Sequence, residues 1–166
     1  MAQFTVTGDI DPFLHVSLLR GEKIYCESNA MVMMENTLEL KGKMTGGLGS
    51  ALMRRFANGE SFFQQHIEAA HGDGDCLLSQ TLPGAIQVLE VGTTSYRITD
   101  GAFVAAESGV SLAVRTQSLG TAVFGQTGGF FICEATGVGK LAVSGFGSSF
   151  VLDVEPGKDI IIDNAH

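Results

Sequence analysis

Short apolar stretches rich in β-branched and aromatic residues recur along the whole chain, separated by Gly, Asn or Asp. They include FTVT, HVSLL, KIYC, MVMM, LEL, SFFQQHIEA, CLLSQ, AIQVLEV, SYRIT, AFVAA, VSLAV, GFFICEA, KLAVS, SFVLDV and DIII. In SSFVLDV, Phe150, Leu152 and Val154 alternate with Val151 and Asp153, the period of a strand with one buried face. Turn signals recur at spacings of about 8–12 residues, which points to a sandwich or barrel. The pattern therefore predicts an all-β, double-layered β-sandwich or barrel built from repeated strand–turn units. One segment departs from it. GGLGSALMRRFANGE spaces Leu48, Leu52 and Phe56 four apart between glycines, predicting a short amphipathic helix over about 48–57.

The chain also resembles itself. GESFFQQHIEAAHGDGDCLLS, starting at Gly59, matches GGFFICEATGVGKLAVS, starting at Gly128, through paired Phe, the Glu–Ala pair, the Gly-x-Gly turn and a Ser. Val88–Val91 then matches Val151–Val154, and Ile98-x-Asp100-x-Ala102 matches Ile161-x-Asp163-x-Ala165. A fainter copy lies near 14–34. A single all-β domain over residues 1–166 is expected, with repeats at about 59–102 and 128–165. Copies one and two run past the shared Ala into a strand, at Met31–Met34 and Phe103–Ala106, whereas the third reaches His166 first. This leads to the expectation that a C-terminal strand is missing, supplied by a longer native chain or by another copy.

The ordered set GEKIYCESNAMVMM, GGLGSALMRRFANGESFF, LPGAIQVLEV, GAFVAAESGVSL and VEPGKDIIIDNAH resembles the family named for altered inheritance of mitochondria protein twenty-four, over nearly the whole chain. The resemblance implies an all-β fold like that of the tryptophan RNA-binding attenuation protein, and assembly into a ring-like homo-oligomer such as a trimer. It brings no catalytic residues to carry over, and the likeness to an RNA-binding protein concerns fold only.

Composition narrows the partners. The 166 residues carry a net charge of −8, with 22 glycines and no Trp. All of that excess lies beyond residue 55, so this acidic part repels nucleic acid and anionic membranes. The start, MAQFTVTGDIDPF, has neither the basic n-region nor the apolar core of a secretory signal, and no apolar run approaches a membrane span. Cys26, Cys76 and Cys133 form no CxxC and read as buried hydrophobes in a reducing, cytoplasmic setting.

Two places carry candidate chemistry. His66, Glu68 and His71 are the densest ligand set, because side chains two apart on a strand share a face and imidazole with carboxylate suits zinc or a similar ion. Their order, His-x-Glu-x-x-His, is not the His-x-His pattern of a cupin, and the matching turn near Gly137 carries no ligands. The second is Gly46 and Gly47 at a glycine-rich helix start, followed by Arg54 and Arg55, which could bind a small anion or a neighbouring subunit's acidic body. Gly137–Leu141 lacks the spacing of a phosphate-binding loop, and no Ser or Cys sits in a nucleophile motif. No cofactor is indicated. The leading expectation is a non-enzymatic, self-associating scaffold or interaction protein with an unidentified protein partner. The alternatives are a metal-dependent cupin-like enzyme and a small-anion binder.

Overall fold

The structure, a computed structural model, describes residues 1–42, 64–99, 101–116 and 131–161. The expected helix over 48–57 lies outside the described residues, and among those that are described there is none. The strands are β1 (Gln3–Thr7), β2 (Phe13–Leu18), β3 (Lys23–Glu27), β4 (Met31–Met34), β5 (Glu39–Gly42), β6 (Gln64–Glu68) and β7 (Gly74–Leu78). They continue as β8 (Gly84–Val91), β9 (Tyr96–Thr99), β10 (Phe103–Glu107), β11 (Val110–Thr116), β12 (Phe131–Gly137) and β13 (Gly139–Phe146).

These strands form three sheets: a first of order β1-β2-β7-β4, a middle one of order β5-β6-β3-β10-β13-β8, and a third of order β11-β12-β9. Every pairing within them is antiparallel. In β2, alternation buries Leu14, Val16 and Leu18. They pack with Ile24, Cys26, Ile67, Cys76, Leu78, Val104 and Ala142 in one core, between the first and middle sheets. A second core joins Tyr25, Phe103, Ala106 and Leu141 of the middle sheet to Ile98, Val110, Cys133 and Ala135 of the third. The sandwich is thus doubled, with the centre of the middle sheet apolar on both faces. That is why β10 is buried at all five positions, a run normally seen in sheets covered on both sides.

The two halves of the chain pair in the same way. β2–β7, β3–β6, β4–β7 and β5–β6 in the first half correspond to β8–β13, β9–β12, β10–β13 and β11–β12 in the second. A register shift falls at the same place in each, between Met31 and Met33 and between Phe103 and Ala105. The turns agree as well: Ser79 N donates to Ala30 O at 2.8 Å, and Ser144 N donates to Ala102 O at 2.7 Å. Asp75 N donates to Glu35 and Lys140 N to Glu107, again at matching positions. The halves are joined edge to edge by β3 and β10, where Cys26, Tyr25 and Ile24 face Ala105, Ala106 and Glu107.

One expectation is corrected here. The alternating SFVLDV segment forms no strand; residues 148–161 carry no strand and are exposed throughout. The matching VLEV at Val88–Val91 is a strand because β13 lies beside it. Among the described residues no strand lies beside Val151–Val154, and alternation without a neighbour leaves backbone groups to water.

One local feature ties the halves together and another shapes a turn within the second half. Tyr25 Oη donates to Val110 O at 2.6 Å inside the second core, tying β3 to β11. At the β12–β13 turn, Gly137 has φ +97°, and a Cβ there would lie 2.2 Å from the Gly109 carbonyl oxygen. Replacing Tyr25 with Phe removes one buried bond and leaves the ring in place. Urea unfolding should then show a loss of about 1 kcal/mol with an unchanged slope.

Candidate functional site

The structure separates the predicted ligands into different contacts. β5 lies beside β6 in antiparallel register, which sets Lys41 opposite His66 and Glu39 opposite Glu68. Lys41 Nζ then reaches Glu68 at 2.9 Å and Glu39 at 3.0 Å. His71, in the turn after β6, places Nε2 2.9 Å from the other oxygen of Glu39. The result is a line, Glu68–Lys41–Glu39–His71, with a cation inserted between the carboxylates. His66 turns to Tyr25, their rings 6.1 Å apart. Among the described residues no group of three or more His, Cys, Asp or Glu could hold a metal ion. The sequence could not show this, because Lys41 comes from a strand more than twenty residues away.

The line has the electrostatics of an exposed ion-pair network. The Lys41 ammonium holds the Glu39 carboxyl below the usual glutamate range, with a smaller push from His71. Glu68 and then Glu39 raise the Lys41 ammonium above the usual lysine value. A depressed carboxyl favours the fold above its ordinary range and loses that effect as pH falls through the lowered pKa. A raised ammonium favours it below the ordinary lysine value and loses that effect as pH rises through the raised pKa. The pairs therefore act across the whole window between, but weakly, since water screens them.

The cysteines are placed for packing. All three are free and buried. Burial pushes the thiols of Cys26 and Cys76 up to about 12, so almost no thiolate exists near neutral pH. The anion candidates Gly46, Gly47, Arg54 and Arg55 lie outside the described residues.

An open cavity of about 510 Å³ lies where matching turns of the two halves meet, lined by Glu27, Ser79, Gln80, Thr99, Ser144 and Phe146 among others. Gln80 Nε2 donates to Gly84 O, while its Oε1 is buried with no hydrogen-bond partner. Among the described residues the lining is hydroxyl, amide and apolar, with Glu27 as its carboxylate.

The most conspicuous surface feature is apolar. Seven large hydrophobic residues are exposed between Phe146 and Ile161: Phe146, Phe150, Val151, Leu152, Val154, Ile160 and Ile161. On β4, Val32 and Met33 are each 52% exposed. Their counterparts on β10, Val104 and Ala105, are 1% and 0% exposed. The only hint of this in the sequence is the likeness of MVMM to FVAA.

Comparison with known proteins places the chain in a family. Residues 4–166 match the family described as Mitochondrial biogenesis AIM24. An uncharacterised protein of Streptococcus pyogenes serotype M6 is 33% identical over 171 residues, covering 99% of this chain and 68% of that protein. A crystal structure of a Streptococcus pyogenes protein superposes with a TM-score of 0.74 at 30% identity, over 89% of this chain and 66% of that one. The chain thus spans about two thirds of the length of both.

Two measurements check the chemistry. The Glu39 carboxyl, followed by NMR, should titrate below the ordinary glutamate range and move up toward it in Lys41→Met. In a thiol assay with Ellman's reagent, the folded chain should stay unreactive for minutes, and all three cysteines should react once it is unfolded.

Proposed function

The chain belongs to the Mitochondrial biogenesis AIM24 family, and from that premise we propose that it works as a non-enzymatic, self-associating scaffold. The observation that carries this reading is the exposed apolar surface at β4 and over residues 146–161. Such surface is disfavoured in water and marks a site of protein contact. A closed ring of identical chains, a trimer first among them, buries it most completely.

The acidic body argues for protein rather than nucleic acid as any further partner. No helix among the described residues is long and apolar enough to cross a membrane. A reducing, cytoplasmic setting suits three buried free thiols. The ion-paired line at Glu68, Lys41, Glu39 and His71 supports a surface role better than a metal site, because Lys41 already neutralises the carboxylates a cation would need.

Native mass spectrometry with light scattering tests the proposal. The purified chain should give one closed multimer with no excess mass. A monomer at micromolar concentration sinks the scaffold reading, and a stoichiometric excess matching a metal or small anion favours the enzyme or binder instead.

A further inference from the structure

We draw no further inference here: the strongest candidate, the open cavity of about 510 Å³ where matching turns of the two halves meet, has a hydroxyl, amide and apolar lining that selects no one ligand class, and nothing in the structure shows what covers it.

Discussion

The fold depends on a middle sheet that has to be covered on both faces. At its centre, β10 lies between β3 and β13, and its side chains enter one core or the other with none left for water. Ala105 and Ala106 are small because two further sheets approach from either side, and both are fully buried. Neither outer sheet has a core of its own, so the first and third sheets are stable only as covers for the middle one. The Tyr25 hydroxyl and the Glu107 carboxylate are drawn into this interior, and each is matched to a backbone partner there.

Much of this was legible in the sequence, and the failures have physical causes. Alternation located β2, because one face of that strand meets a core and the other holds His15 and Ser17. It could not reveal the number of layers. A strand buried on both faces, such as FVAAE, shows an apolar run instead of alternation, and the run alone does not say what covers it. SFVLDV failed in the opposite direction: its pattern suits a strand, but a ladder needs a second strand and the described residues offer none. The internal likenesses of Glu68 to Glu134 and Ser79 to Ser144 fall at matching positions of the two halves, whereas the likeness of Val88 to Val151 joins a strand to an exposed segment.

The candidate chemistry was legible as residue types and not as arrangement. Spacing along β6 put His66 and Glu68 on one face, but the register of β5 decided their surroundings by bringing Lys41 between Glu68 and Glu39. Burial of the cysteines followed from their neighbours in sequence, since each sits in an apolar stretch. No local pattern marks Val32 and Met33 as exposed, because their exposure depends on which strands lie beside β4, and that is set by the rest of the chain.

The shared pairing of the two halves bears on how the molecule comes apart. Strand ladders run within a half and across one seam, and the two cores add packing between the halves, so cohesion depends on each half and on what joins them, as in repeat proteins. A break large enough to outweigh the shared cores uncouples the halves before either loses its own pairing, and unfolding then proceeds in two steps; loss of the Tyr25 bond alone does not reach that point. An architecture of this kind can gain or lose a unit without redesign of the remainder, so its size is a matter of how many units are joined rather than of what any one core can hold.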